Sequence, residues 1–175
     1  MLIIMDMDFT LVDTTEPEKL RRWGRYAEAS SKLRDTAVYP GVREMLSDLE
    51  SDGHEILVLT NSRGRDAREL IEIHGLGIKE AYYYKDLGVR PKPHPGGHET
   101  LLRQNGVIGS MAVSVGDKTS DREAAHRAGI RFIAAMWGSA DVSVSEGADG
   151  VAGRPSDVVE IIGGKRNGLR YDRSK

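Results

Sequence analysis

The chain has 175 residues, of which 30% are charged, and its formal net charge is −2. This length predicts one ordinary domain, and the small net charge excludes bulk electrostatic attraction to nucleic acid or to an anionic membrane surface. The sequence contains no cysteine, which excludes disulfides, thiolate nucleophiles and cysteine-ligated zinc or iron–sulfur sites, so any metal must bind oxygen or histidine. The N-terminus lacks a basic region and its apolar run is interrupted by Asp6, so we expect a cytoplasmic protein without a signal peptide or membrane span.

Short apolar runs alternate with amphipathic patterns along the chain. The apolar runs predict strands at 2–5, 55–59, 81–84, 111–115 and 131–135. Amphipathic spacing predicts helices near 16–34, 41–52, 64–74, 96–105, 120–128 and 156–162. Capping-box spacing supports two helix starts, at Thr15 with Glu18 and at Ser120 with Glu123. Four of the helices are followed by a glycine of the kind that ends helices, at Gly53, Gly75, Gly106 and Gly129.

Alternating strands and helices predict the α/β class. We expect a three-layer α/β/α, Rossmann-like domain over 1–163, with a mostly parallel sheet of five strands or slightly more. A minimal helical insertion at 14–40 would follow the first strand, and the basic segment 164–175 would be a frayed tail. Ligands of such folds bind at the carboxyl ends of the strands, so the residues that follow each strand are the candidate site.

Two carboxylates follow the first predicted strand. Asp6 and Asp8 are separated by one residue, and because side chains alternate along a strand, both point to the same side just past its end. Two like charges at that position repel each other unless a cation, a proton or a phosphate-bearing partner accompanies them.

The other strands are followed by hydroxyl, amide, cationic and acidic residues. Thr60, Asn61 and Ser62 follow the second strand, and the acidic loop 116–121 follows the fourth. Lys92 follows the third strand between two prolines, which stiffen the chain around it, with Arg90 as the alternative cation. Together these are the residue types of a site that binds a phosphate and a metal.

These motifs resemble those of the haloacid dehalogenase superfamily. Its phosphatase members carry Asp-x-Asp-x-Thr after the first strand, a Thr or Ser after the second, a Lys, and an acidic Gly-Asp-x-x-x-Asp loop. This chain has the same motifs in the same order, at 6–10, Thr60, Lys92 and 116–121. The resemblance covers about residues 1–135, and four motifs in register make it specific.

The resemblance implies catalysis by two aspartates. Asp6 would be the nucleophile that forms an aspartyl-phosphate. Asp8 would protonate the leaving oxygen and later activate the hydrolytic water, so its surroundings would have to keep a proton on it while Asp6 stays ionised. Asp8 rather than an aromatic residue or threonine at this position favours phosphoester hydrolysis or phosphoryl transfer over the dehalogenase and transport-ATPase branches.

The resemblance also implies a Mg²⁺ cofactor and a phosphate clamp. Mg²⁺ prefers oxygen ligands, and Asp6, the backbone carbonyl of Asp8, Asp117 and Asp121 would hold it, with Asp121 acting directly, through water, or partly in the first turn of its helix. The transferring phosphoryl group would be held by Thr60, Asn61 and Lys92.

Three residues near these motifs have two possible interpretations each. Phe9 stands where many relatives have glycine, and it either shapes the leaving-group pocket or, as we prefer, packs beneath the loop. His94 and His98 lie close to Lys92, and we prefer solvent exposure or a local hydrogen bond over substrate contact.

The short insertion at 14–40 leaves the substrate open. It has room for one helix, with Leu20, Trp23, Ala27 and Leu33 at roughly helical spacing. We expect its arginines to form a solvated face, with contact to an anionic substrate as the alternative. The shortness resembles the capless, magnesium-dependent phosphatases, whose open site suits a bulky phosphorylated macromolecule. A small phosphorylated molecule is the alternative if a second subunit, in a homodimer, provides the lid.

We predict a Mg²⁺-dependent phosphomonoester hydrolase. A phosphotransferase or mutase is the alternative within enzymes, although excluding water requires a closed site. A non-catalytic protein that binds a phosphorylated ligand is the alternative outside enzymes, although such a protein has no use for the acid/base group Asp8. No nucleic-acid or membrane partner is expected.

Overall fold

A parallel sheet forms the centre of the molecule, in a computed structural model that describes residues 1–138 and 141–164. In chain order the strands are β1 Leu2–Met5, β2 Val12–Asp13, β3 Ala37–Val38, β4 Glu55–Thr60, β5 Glu80–Tyr83, β6 Ala112–Gly116, β7 Arg131–Ala135 and β8 Gly150–Ala152. Six of them form one sheet in the order β5-β4-β1-β6-β7-β8, with every pair parallel. The short strands β2 and β3 form a separate antiparallel pair.

Helices cover the sheet. They are α1 Thr15–Arg22, α2 Tyr26–Ser31, α3 Val42–Ser51, α4 Gly64–His74, α5 Gly96–Gln104, α6 Thr119–Arg127 and α7 Pro155–Ile162. Short 3₁₀ turns lie at Leu33–Asp35, Gly109–Met111 and Val142–Ser145. The predicted α/β class with a mostly parallel sheet is confirmed.

The central strand β1 is buried on both faces, which explains its uninterrupted apolar run. Ile3 and Met5 pack into one core layer, which includes the apolar residues of α3 and α7. Leu2 and Ile4 point the other way and pack into a second layer with Leu101 of α5. Strand β1 lies between β4 and β6, with β4 and β5 on one side of it and β6, β7 and β8 on the other. The strand order therefore reverses at β1, and ligands of such sheets bind at the carboxyl ends of the strands where this reversal occurs.

The insertion after β1 is not the single helix that we predicted for 16–34. Two helices, α1 and α2, are separated by a turn at Trp23–Arg25 in which Gly24 has φ 72°. The backbone N–H groups of Trp23 and Arg25 both donate to the Leu20 carbonyl, at 3.2 and 2.9 Å. Glycine adopts this left-handed conformation without the steric cost that other residues meet, so Gly24 ends the first helix, and Trp23 is 70% exposed instead of packed.

The ends of some elements also differ from the prediction. The predicted capping boxes are wrong: α1 is preceded by Thr14, and α6 by Lys118, whose backbone N–H donates to the Asp121 carboxylate at 3.0 Å. Strand β8 was not predicted, because three residues at the edge of a sheet give no periodic signal. The predicted tail lies outside the described residues from 165 onward. Within the residues that the structure describes, no helix is both long and apolar enough to span a membrane.

Candidate active site

Asp6 lies at the carboxyl end of the central strand. Its backbone N–H donates to the carbonyl of Val115 in β6 at 2.9 Å, so the sheet ladder continues to this residue and fixes its position. The side chain is 6% exposed and its Oδ1 accepts a hydrogen bond from Lys92 Nζ at 2.7 Å. Within the described residues no hydrogen bond reaches Oδ2 of Asp6, so one carboxylate oxygen is available to a ligand.

Lys92 reaches the site because Asn61 holds its backbone. The Asn61 side chain accepts from the Lys92 N–H at 2.9 Å and donates to the Lys92 carbonyl at 3.0 Å. Lys92 Nζ then contacts the Asp6 and Asp121 carboxylates at 2.7 Å each and donates to the Leu59 carbonyl at 2.8 Å. Burial alone would lower the pKa of Lys92, but Asp121 and Asp6 raise that pKa above its ordinary value. Lys92 is therefore a buried, charged residue, and Asn61 positions it.

Three buried carboxylates form a candidate metal centre. Asp6, Asp117 and Asp121 each offer an oxygen, and these atoms lie within 4.8 Å of one another. Burial, followed by the charge of Asp6, raises the pKa of Asp117 to about 8, and burial raises that of Asp6 to about 6. The cost of crowding these charges is what a hard divalent cation would remove, and an all-oxygen donor set suits Mg²⁺. The residues therefore fit the predicted cofactor.

Asp121 and Asp117 are also held by their neighbours. One oxygen of Asp121 contacts Lys92 and the other accepts from the Lys118 N–H, in the first turn of α6. Asp117 accepts from the Thr10 hydroxyl at 3.3 Å. Gly116 makes room for this arrangement, since a Cβ there would lie 2.7 Å from an Asp121 oxygen.

Asp8 is turned towards the insertion. Arg21 of α1 donates to Asp8 Oδ1 at 2.9 Å, while Ser62 and Thr60 donate to Oδ2, Thr60 at 3.4 Å. Burial alone would raise the pKa of Asp8, but the charge of Arg21 and the hydrogen bond from Ser62 hold it below its usual value. The pKa shifts of Asp6 and Asp8 thus run opposite to the predicted division of roles, because a cation that no sequence pattern indicates faces Asp8.

Arg21 is the main residue that sequence reasoning missed. We expected the arginines of the insertion to face solvent, yet the Arg21 side chain is 9% exposed. Besides Asp8, it contacts Ser62 at 3.2 Å and Asp66 of α4 at 3.3 Å. Ser30 of α2 donates to the same Asp66 carboxylate at 2.9 Å. These contacts dock both helices of the insertion onto the sheet edge that carries Asp8, and no local sequence pattern marks them.

The loop after β1 packs closely against the loops after β6 and β7. Phe9 has φ 61°, and its ring lies 5.2 Å from Lys118 Nζ. Trp137, after β7, donates from Nε1 to the Thr10 carbonyl at 2.9 Å. A Cβ on Gly138 would lie 1.9 Å from the Phe9 carbonyl oxygen, so the loop after β7 fits only with glycine at this position.

The two histidines near Lys92 have different surroundings. His94 accepts from the Gly96 N–H at 3.1 Å, which is the local hydrogen bond that we preferred. His98 is 1% exposed and its Nε2 lies 3.0 Å from the Ser114 hydroxyl beneath the sheet edge. The preference for solvent or a local bond is therefore wrong for His98.

A cavity of about 590 Å³ opens above the carboxylates. Its floor includes Asp6, Asp8 and Lys92, and its lining continues to Tyr26 of the insertion and to Arg63 at the start of α4. The volume lies in the range typical of small-molecule sites, so the cavity has room for a phosphate together with the group attached to it.

Comparison with known proteins places the chain in a family. The sequence profile of the haloacid dehalogenase-like hydrolases matches residues 16–135, more than half of the chain, although the match starts after Asp6 and Asp8. Over 110 residues the chain is 36% identical to a phosphoglycolate phosphatase of Pseudomonas savastanoi pv. phaseolicola, covering 62% of this chain and 40% of that protein. It is 29% identical over 158 residues to a phosphoglycolate phosphatase of Vibrio parahaemolyticus, covering 83% and 67%. The chain thus spans about 40% of the length of the first relative.

Solved structures share the fold. A haloacid dehalogenase-like protein of unknown function from Agrobacterium tumefaciens superposes with a TM-score of 0.78 at 21% identity, covering 93% of this chain and 97% of that one. A hydrolase of the same family from Deinococcus radiodurans, solved with phosphate and sodium bound, gives 0.76 at 16% identity, covering 93% and 95%. At these identities the likeness establishes the fold alone.

Proposed function

The chain belongs to the haloacid dehalogenase-like hydrolase family, and we propose that it is a Mg²⁺-dependent phosphomonoesterase that works through an aspartyl-phosphate. The observation that carries this proposal is the buried cluster of Asp6, Asp117 and Asp121 around Lys92, at the carboxyl end of the central strand. A phosphate monoester is an anion, so a carboxylate nucleophile approaches it only where other groups offset the repulsion.

Asp6, Asp117 and Asp121 would hold the metal, together with the backbone carbonyl of Asp8. When bound, a divalent cation supplies charge neutralisation for the phosphoryl oxygens. Lys92 supplies a second positive charge next to Asp6, and the Thr60 hydroxyl adds a hydrogen-bond donor on the same edge. Asn61 contributes by holding the backbone of Lys92 in place.

Asp6 carries out the first step. A free oxygen of its carboxylate attacks phosphorus, the new O–P bond forms, and the bond from phosphorus to the leaving oxygen breaks. Asp8, in its protonated form, delivers the proton that the leaving oxygen takes up; Arg21 and Ser62 lower the pKa of Asp8, so this form is the minor one. The products of this step are the free alcohol and phosphorylated Asp6.

Asp8 acts again in the second step. A water attacks the phosphorus of phosphorylated Asp6, and the Asp8 carboxylate accepts the proton of that water. Inorganic phosphate leaves and the Asp6 carboxylate is restored. The ion pair of Asp8 with Arg21 favours this base role, because it holds Asp8 as a carboxylate.

Small phosphorylated molecules are the substrates that we favour over macromolecules. The two relatives described above are named phosphoglycolate phosphatases, and the cavity of about 590 Å³ is bounded on one side by the insertion. Transfer to an alcohol instead of water is the second candidate, since the same two aspartates would catalyse it.

Phosphate release from p-nitrophenyl phosphate tests the proposal. We expect release that needs Mg²⁺, a loss of at least about 10⁴-fold in kcat for Asp6→Asn, and a loss of about 10² to 10³-fold for Asp8→Asn. Asp48→Asn on the exposed face of α3 changes the same chemical group away from the site and should leave kcat unchanged.

Equal release by the wild type and both active-site variants would refute the enzymatic proposal. Addition of ethylene glycol separates the second candidate. A phosphotransferase passes part of the phosphoryl groups to the glycol, so p-nitrophenol exceeds inorganic phosphate and the glycol phosphate appears, whereas a hydrolase forms p-nitrophenol and inorganic phosphate in equal amounts.

A further inference from the structure

The far wall of the cavity carries positive charge that no carboxylate among the described residues pairs with. The acidic residues of the lining all have cationic partners: Lys92 contacts Asp6 and Asp121, and Arg21 contacts Asp8. Glu18 lies 3.5 Å from Arg22 and 3.8 Å from Arg21. Lys92, Arg21 and Arg22 are therefore each already engaged by a carboxylate of the protein.

Arg63 and Lys85 differ from these cations. Both line the cavity, and within residues 1–138 and 141–164 neither has a carboxylate oxygen within 4.0 Å. Asp86, which follows Lys85, contacts Arg68 at 3.2 Å instead. Two cations at the wall of a substrate cavity without an internal partner are available to an anion of the ligand.

Arg63 is also oriented for this role. Its guanidinium lies over the ring of Tyr26, with Cζ 4.5 Å from the ring centroid. A stacked guanidinium engages its face and leaves its N–H edge free, which is the edge that binds carboxylate or phosphate oxygens in pairs. Tyr26 belongs to the insertion and Arg63 to the start of α4, so both sides of the cavity help to fix the guanidinium.

The two cations lie close in sequence to residues at the carboxyl ends of β4 and β5. Arg63 follows Ser62, whose hydroxyl donates to Asp8. Tyr83, at the end of β5, pairs in register with Thr60, and paired strands lie about 4.8 Å apart, so Lys85 follows closely after the neighbouring strand end. A leaving group next to Asp8 therefore shares one cavity with both cations.

We propose that Arg63 and Lys85 form a subsite that binds a second anionic group, a carboxylate or a phosphate, on the leaving group of the substrate. The preferred substrates are then phosphomonoesters of small alcohols that carry such a group, whereas neutral alcohols of the same size leave both cations unmatched. The subsite rests on the proposed function for its place in catalysis, but binding to it requires no turnover.

Calorimetry with non-hydrolysable phosphonates tests the subsite directly. The probes are ω-carboxyalkyl phosphonates of increasing chain length and their carboxamides, which match them in shape but lack the second charge, measured with Mg²⁺ present. We expect the carboxylate of the best chain length to bind about tenfold more tightly than its amide, the effect of one charge-assisted hydrogen bond. Alkane-α,ω-bisphosphonates form a second arm that shows which anion is preferred.

Variants assign the effect to the two residues. Arg63→Gln and Lys85→Gln should each reduce the preference for the charged probe, and the double variant should abolish it, while affinity for the carboxamide stays the same. Arg65→Gln, on the same helix but outside this cavity, provides the matched control and should keep the preference.

A wild-type protein that binds charged and neutral probes equally at every chain length would overturn the subsite, as would a double variant that keeps the preference. Neither result touches the proposed function, which is measured separately by phosphate release from p-nitrophenyl phosphate. A protein that shows the charge preference but releases no phosphate would retain the subsite and refute the phosphatase.

Discussion

The strand-end loops and the insertion between β1 and α3 are built by different kinds of interaction. The loops hold the side chains of the candidate site where each strand ends, and the strand order β5-β4-β1-β6 determines which of these loops are neighbours. The insertion is held by contacts between residues distant in sequence, such as Arg21 with Asp66. Local sequence patterns therefore position the polar side chains of the site, whereas contacts between distant residues determine the shape of the cavity.

The largest effect is expected where the two regions meet. Arg21→Gln removes the cation that Asp8 and Asp66 share, and it leaves two buried carboxylates without it. We expect the free energy of unfolding in urea to fall by about 3 kcal/mol, because losing one partner of a buried ion pair is far more costly than losing an exposed one. Arg25→Gln, which breaks the exposed pair with Glu28, should leave the free energy of unfolding almost unchanged, because water screens this pair.

Equal small losses of stability in these two variants would contradict this difference between Arg21 and Arg25, since Arg21 would then behave as the solvated residue that the sequence predicts. The position of Arg21 could not be derived from the sequence, because all the arginines of the insertion share a similar local setting. What distinguishes Arg21 is that Asp8 and Asp66 face it in the folded chain.

A second effect is expected within the loops. Gly138→Ala places a Cβ against the Phe9 carbonyl oxygen, which is backbone and moves only with the loop that carries Asp8. We expect a loss of about 2 kcal/mol in urea unfolding, as for other overpacked sites. Gly153→Ala is the matched control, because its Cβ would meet its nearest neighbour at an ordinary 3.6 Å. Unchanged stability of Gly138→Ala would show that the two loops are not tightly packed.

A third effect concerns the layer beneath the loops. Burial, followed by the charge of Lys92, lowers the pKa of His98 to about 3. Below its ordinary pKa of 6.5 the unfolded chain takes up a proton that folded His98 does not, so this residue makes stability fall as the pH falls from about 6.5 towards 3. Between pH 6 and 5 the contribution reaches at most about 1.4 kcal/mol per pH unit.

His98→Gln isolates this contribution, since glutamine keeps a hydrogen-bonding group near Ser114 and does not titrate. Urea unfolding of both proteins at pH 7, 6 and 5 should show the wild type losing more stability on acidification than the variant. Parallel losses would mean that His98 is protonated in the folded protein.

The smallest effect is expected at the break in the insertion. Gly24→Ala keeps the helix-forming tendency of 16–34 but requires an alanine at φ 72°, at a cost of about 1 kcal/mol. Apart from the chain neighbours of Gly24, no atom of the described residues lies within 4 Å of the added Cβ, so the cost measures backbone conformation alone. A gain in stability would indicate that the insertion prefers the continuous helix that periodicity predicts.

These differences separate the features that the sequence predicts from those that it does not. The α/β class, the strands of the sheet except β8, and the meeting of Asp6, Lys92, Asp117 and Asp121 follow from apolar runs and from what stands at their ends. The turn at Gly24, the buried Arg21 and the clamp of Asn61 on Lys92 do not, because they depend on partners more than ten residues away or on a single glycine.

The central claim is that Asp6 becomes phosphorylated during turnover. Wild-type protein mixed with Mg²⁺ and a phosphomonoester, quenched in acid during turnover and reduced with borohydride, should contain homoserine at position 6 by mass spectrometry, because borohydride reduces an acyl phosphate and leaves a free carboxylate intact. The modification should need both Mg²⁺ and substrate, and other aspartates should be unmodified. Sustained phosphate release with Asp6 unmodified, or the modification at a different aspartate, would contradict the account.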